Sequence, residues 1–98
     1  MVRLNKESII KEIEKRREEI RNFGVKKIGL FGSFLNGAGK KKDIDFLVKL
    51  KKPTFDNYME LKFFLEKIFN KKVDLIIEDN LKPALHYVKK EAVYVKRL

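Results

Sequence analysis

The sequence predicts an α/β (α+β) fold, a small mixed β-sheet with helices packed on one face, from three observations. An N-terminal segment repeats isoleucine at helical spacing, at Ile9, Ile13 and Ile20. Three short apolar runs, KKIGLFG, DIDFLVKL and KVDLIIE, read as strands. Between the second and third runs lies a segment whose apolar residues follow one broad helical stripe. Helices interleaved with strands in this way can bury their apolar stripes only against a sheet, and they leave the other sheet face open for a site.

Taken in order, Asn5 is placed to cap the first helix and Gly24 to end it, because asparagine accepts from free helical N–H groups and glycine adopts the left-handed conformation of a helix stop. Strand one is expected over Lys26 to Gly32, followed by a helical turn over Ser33 to Ala38 and a loop holding Gly37, Gly39 and Lys40–Lys42. Strand two is expected over Asp43 to Leu50 and stops at Pro53. Thr54 is a cap for a helix whose stripe holds Phe55, Tyr58, Leu61, Leu65, Ile68 and Phe69. Its aromatics, Phe63 and Phe64 included, cannot all share one narrow face, so some apolar surface is left for a partner. Strand three is expected over Lys72 to Glu78, and Asn80 is placed to cap a last short helix with Pro83 in its first turn. The tail EAVYVKRL fits either a helix or a short edge strand, and His86 reads as a surface or structural residue.

The 98 residues fit one domain, taken here as 1–98, with one main core. With hydrophobic residues at 44% and charged residues at 39%, the chain has enough apolar material to fold under an unusually ionic surface. There is no cysteine and one histidine, which excludes disulfides and thiolate zinc sites and leaves only a hard metal held by oxygen. No apolar run approaches the roughly 20 residues that cross a bilayer, and the start lacks the apolar core of a signal peptide, so a cytoplasmic protein is expected. The net charge of +10 suits nucleotides, nucleic acid, membranes or an acidic protein without choosing among them.

One stretch departs from this background. Asp43 and Asp45 lie two apart in an apolar run directly after three lysines. Residues two apart on a strand share a face, so both carboxylates project together while Ile44 and Phe46 point to the core. Asp74 repeats the theme in strand three, and if strands two and three are neighbours, three carboxylates meet on one patch. Such anions repel or take up protons unless a cation sits among them, and magnesium prefers carboxylate oxygens with the remaining ligands drawn from substrate phosphates. Upstream, Gly32 lets a phosphate approach the backbone, and Ser33 at a helix start offers a hydroxyl and N–H donors to an anion.

The run GSFLNGAGKKKDID resembles the signature of the nucleotidyltransferase superfamily related to polymerase beta, Gly-Ser followed about ten residues later by Asp-x-Asp. The short length is similar to that of the minimal nucleotidyltransferases (MNT proteins). The resemblance implies a nucleotidyltransferase-like fold in which Gly32 and Ser33 hold the nucleotide triphosphate and Asp43, Asp45 and Asp74 hold two magnesium ions. It also implies an antitoxin that transfers AMP from ATP to a tyrosine of a partner, a HEPN-domain ribonuclease toxin. Leu35 and Asn36 stand where the pattern often has Ala and Arg, and Lys42 where it has Ser, while Gly37 is retained. Lys40–Lys42 are open to reading as a solvated loop or as a source of the positive charge. Two alternatives to a protein adenylyltransferase follow: an antitoxin acting by binding alone, and a basic nucleic-acid-binding module. The last has only the net charge behind it, since no helix-turn-helix or stacking-aromatic signature is present, and nucleic acid is not expected as the acceptor, because a chain this short is expected to lack the extra domains that larger nucleotidyltransferases use to grip it.

Overall fold

The computed structural model describes residues 4–34 and 43–95. Two helical segments, α1 (Lys6–Lys15) and α2 (Arg17–Asn22), lead into strand β1 (Val25–Phe31) and a tight 3-10 turn over Gly32–Phe34. Strand β2 (Ile44–Leu50), helix α3 (Phe55–Phe69) and strand β3 (Val73–Ile77) follow. Two further 3-10 turns, Glu78–Asn80 and Pro83–Leu85, lead to the short helix α4 (Tyr87–Glu91) and strand β4 (Val93–Tyr94). The turn expected after strand one is present for its first residues, whereas Leu35 to Lys42, including the Gly37–Lys42 loop, lie outside the described residues.

The four strands run in the order β3-β2-β1-β4, so the sheet is mixed: β2 and β3 are parallel, and the other neighbours are antiparallel. A parallel pair requires a crossover, and α3 supplies it. Ile44, Phe46, Val48 and Leu50 of β2 join Ile28 and Leu30 of β1 and Val73 and Leu75 of β3 in one core. Ile9, Ile13 and Ile20 from the first two helices, and Leu61, Leu65 and Phe69 from α3, close over it. The apolar stripes of the helices and the alternation of the strands thus meet on one side of the sheet.

The first helix expected from Asn5 to Gly24 is divided at Arg16. Asn5 caps it, accepting from the Ser8 N–H at 2.8 Å, and Gly24 ends it with φ at +84. Where the isoleucine stripe would continue, the chain has Arg16, whose guanidinium turns to Glu12 at 2.6 Å instead of the core. In α3, Thr54 caps as expected, but Phe55 does not belong to the buried stripe. It is 76% exposed, since at about 100° per residue it points roughly 120° away from Leu61. Phe63 is likewise exposed. Asn80 closes a 3-10 turn instead of capping the last helix, and α4 starts at Tyr87 with no side-chain cap. The ambiguous tail takes the edge-strand option: Glu91 only ends α4, Val93–Tyr94 pair with β1, and the last three residues lie outside the described ones.

On the second sheet face, Leu47, Leu81 and Val88 form a smaller buried cluster with Phe31, Ile76, Ala92 and Tyr94 packed against it. The segment after β3 therefore covers the middle of this face. Glu78 pins it in place: it is 7% exposed, accepts from the Tyr94 hydroxyl at 3.0 Å, and has the ammonium groups of Lys27 and Lys89 each 3.9 Å away. Tyr94 itself needs Gly29 beneath it, since a Cβ there would come within 3.0–3.3 Å of the ring. Among the described residues, no helix is long and apolar enough to cross a membrane.

Candidate active site

The second face carries the acidic residues at the end left uncovered. Along β2, Asp45 and Leu47 share this face while Ile44 and Phe46 are buried in the main core. The parallel register sets Asp45 directly opposite Asp74, and the antiparallel register sets Asp45 opposite Phe31. The next row is Ile76, Leu47, Gly29 and Tyr94. An acidic row thus borders an apolar one, and neighbouring strands about 4.8 Å apart bring the two aspartates into the same space. Asp43 is exposed, one residue before β2, and the Ile44 N–H donates to the Lys72 carbonyl at 3.0 Å, tying this entry to the start of β3.

Gly32 joins the acidic row from the end of β1. Its φ of +79 is the left-handed conformation that favours glycine, and it opens the Gly32–Phe34 turn. A Cβ built on Gly32 would collide with the Asp45 carboxylate, its carboxyl carbon at 2.9 Å and its Cβ at 3.1 Å. The Gly32 backbone is therefore in van der Waals reach of the Asp45 side chain. Ser33 lies in the same turn, next to Gly32.

The donor set fits a hard divalent cation, since every candidate ligand is a carboxylate oxygen. Among the described residues, no group of three or more acidic or imidazole side chains stands close enough together to hold a metal ion. The expected convergence of three carboxylates is thus not met: Asp45 and Asp74 pair across the strands, whereas Asp43 is exposed just before β2, where the alternation of the strand does not yet fix its side chain. That arrangement suits magnesium, which takes one or two protein carboxylates and completes its shell with water and substrate phosphates. His86 is exposed at the start of α4, in keeping with a surface residue.

Comparison with known proteins matches the nucleotidyltransferase domain model to residues 9–97. This chain belongs to the nucleotidyltransferase family. Within it, the protein adenylyltransferase MntA of Thermococcus cleftensis is 35% identical over 97% of this chain and 100% of its own length. A Methanocaldococcus jannaschii protein provisionally named a protein adenylyltransferase is 41% identical over 76% of this chain and 91% of its own. Both place this nucleotidyltransferase among the minimal members of the family. A solved structure provisionally described as a minimal nucleotidyltransferase superposes with a TM-score of 0.73 at 26% identity, covering 95% of this chain and 98% of that one. The fold also matches a toxin-antitoxin structure with AMP-PNP, at TM-score 0.68 and 22% identity over 84% of this chain and 71% of that one. It matches as well the MNT antitoxin complex with a tri-AMPylated HEPN toxin of Shewanella oneidensis, at TM-score 0.64 and 20% identity over 88% and 71%.

In this nucleotidyltransferase the structure brings Gly32, Asp45 and Asp74 together, with Asp43 at the entry to the same strand. What sequence reasoning missed is the neighbouring apolar row and its cover. Leu81, Val88, Ala92 and Tyr94 belong to a 3-10 turn end, a helix, its cap and a strand, so no single periodicity signals a common buried face, and only their packing with Leu47 reveals one.

Proposed function

We propose that this nucleotidyltransferase is a magnesium-dependent protein adenylyltransferase that moves AMP from ATP to a tyrosine hydroxyl of a HEPN-domain toxin, and so acts as its antitoxin. The observation that carries this reading is the register pairing of Asp45 with Asp74 beside the Gly32 backbone. The full-length likeness to a protein adenylyltransferase, and the complexes of MNT antitoxins with HEPN toxins among proteins of the same fold, support the acceptor and the partner.

In the proposed reaction the acceptor oxygen attacks the α-phosphorus in line, a new P–O bond forms, and the bond to pyrophosphate breaks. Asp45 and Asp74, with Asp43 at the entry to β2, would hold the magnesium ions, which when bound with the triphosphate would supply charge neutralisation at the reacting phosphate. The Gly32–Ser33 backbone, stripped of a side chain at its first residue, lets the phosphates lie against the turn. In this reading Asp74 takes the proton of the incoming hydroxyl, a role its exposure on the edge strand supports.

Incubation of the protein with α-labelled ATP, magnesium and the HEPN partner tests this. Label on a partner tyrosine, lost in Asp45→Asn, is the expected result. Neutralisation of the partner without label would replace this reading with an antitoxin that acts by binding alone.

A further inference from the structure

Lys71 lies in the turn from α3 to β3, three residues before Asp74. Asn70 ends α3 in the left-handed conformation, φ 50 and ψ 47, and the Lys71 N–H donates back to the Glu66 carbonyl at 3.3 Å. The chain therefore reverses sharply and enters β3 at the end of the sheet where the acids lie. Two contacts bind this turn to the site. The Lys72 carbonyl accepts from Ile44, the residue between Asp43 and Asp45. The Lys71 ammonium stands over the ring of Phe34, 5.8 Å from its centroid, and Phe34 is the buried last residue of the turn that begins at Gly32.

The adjacent lysine is differently placed. The positive charge of Lys72 acts on Glu66 and helps hold its carboxyl below the ordinary range, after the Val73 N–H and Lys62. Among the described residues, no carboxylate lies within ion-pair distance of the Lys71 ammonium. A triphosphate would add negative charge to a face that already carries Asp45 and Asp74, with Asp43 just before β2, so its tail needs a cation at the border of that face. Lys71 has a three-donor head, is held by an aromatic ring, and flanks the turn that a phosphate would approach. We infer that Lys71 binds the phosphate tail of the nucleotide and sets the preference for a triphosphate over a monophosphate. This rests on the nucleotide-transfer reading above.

Calorimetric titration of the full chain with ATP and with AMP, each with magnesium, tests it on wild type, Lys71→Met, Lys71→Arg and Lys67→Met, the last an exposed lysine on α3. The expected result for Lys71→Met is a loss of ATP affinity of roughly ten- to thirtyfold with AMP affinity kept within about twofold. Arginine should restore most of the loss, and Lys67→Met should bind as wild type. Undiminished ATP affinity in Lys71→Met, or equal loss for ATP and AMP, overturns the assignment while leaving the transfer reading standing. Wild-type protein that takes up neither nucleotide sinks the transfer reading and this assignment together. Should the methionine variant unfold by circular dichroism, Lys71→Gln is read by the same criterion.

Discussion

Gly32 and Asp45 are locked to each other: the glycine backbone occupies the space directly beside the carboxylate, at a φ of +79. Replacing Gly32 by alanine imposes two penalties at once. The left-handed backbone costs about 1–2 kcal/mol for a residue with a Cβ, and the methyl drives the Asp45 carboxylate from its position. Denaturant melts should show a loss of that size, and nucleotide transfer should fall further than stability does.

Asp74→Asn separates chemistry from folding. The residue is exposed, so its amide should change the unfolding free energy by no more than about 0.5 kcal/mol. Removing one of the paired carboxylates should nevertheless lower transfer about a hundredfold or more. Parallel measurement of melting temperature and label incorporation checks both. A matching collapse of stability and activity would make Asp74 a structural residue.

Tyr94 predicts an alkaline limit to stability. Burial first, and then its hydrogen bond to Glu78, push the Tyr94 hydroxyl up to about 12 from 10.0. The folded state therefore holds this proton more tightly than the unfolded chain. The stabilisation is complete below pH 10 and is lost as pH rises from there through about 12. The difference in stability between wild type and Tyr94→Phe should shrink across that interval.

Glu66 acts at the other end of the pH scale. Its carboxylate accepts the Val73 N–H at 3.0 Å and pairs with Lys62 at 3.0 Å, and these contacts, the backbone bond foremost, lower its pKa below 4.5. A depressed pKa contributes stability that is present above the ordinary carboxylate range and lost as pH falls through the folded value. Glu66→Gln should cost about 1 kcal/mol near neutral pH. The gap to wild type should close in acid melts.

Much of this was legible in the chain because local patterning and burial agree. Ile44 and Phe46 alternate with Asp43 and Asp45, so a strand with one working face could be read directly. Asn5, Gly24 and Thr54 announced their helix ends by cap chemistry. Phe55 was not legible in this way, because the sheet receives a narrower stripe of α3 than helical spacing alone allows. Asn80 misled because a good capping residue has no helix to cap when Leu81 and Val88 are drawn down onto Leu47.

By itself, the sequence determined the candidate residues of the site and that Asp45 and Asp74 lie on strands, since side-chain alternation and donor type are local properties. Only the tertiary structure decided that β3 pairs with β2 in the register that opposes Asp74 to Asp45, and that Gly32 lies against that pair. It also decided where Lys71 stands, over a ring thirty-seven positions earlier in the chain. Register and crossover are properties of packing, set by which apolar rows interlock, and no short window of sequence contains both partners.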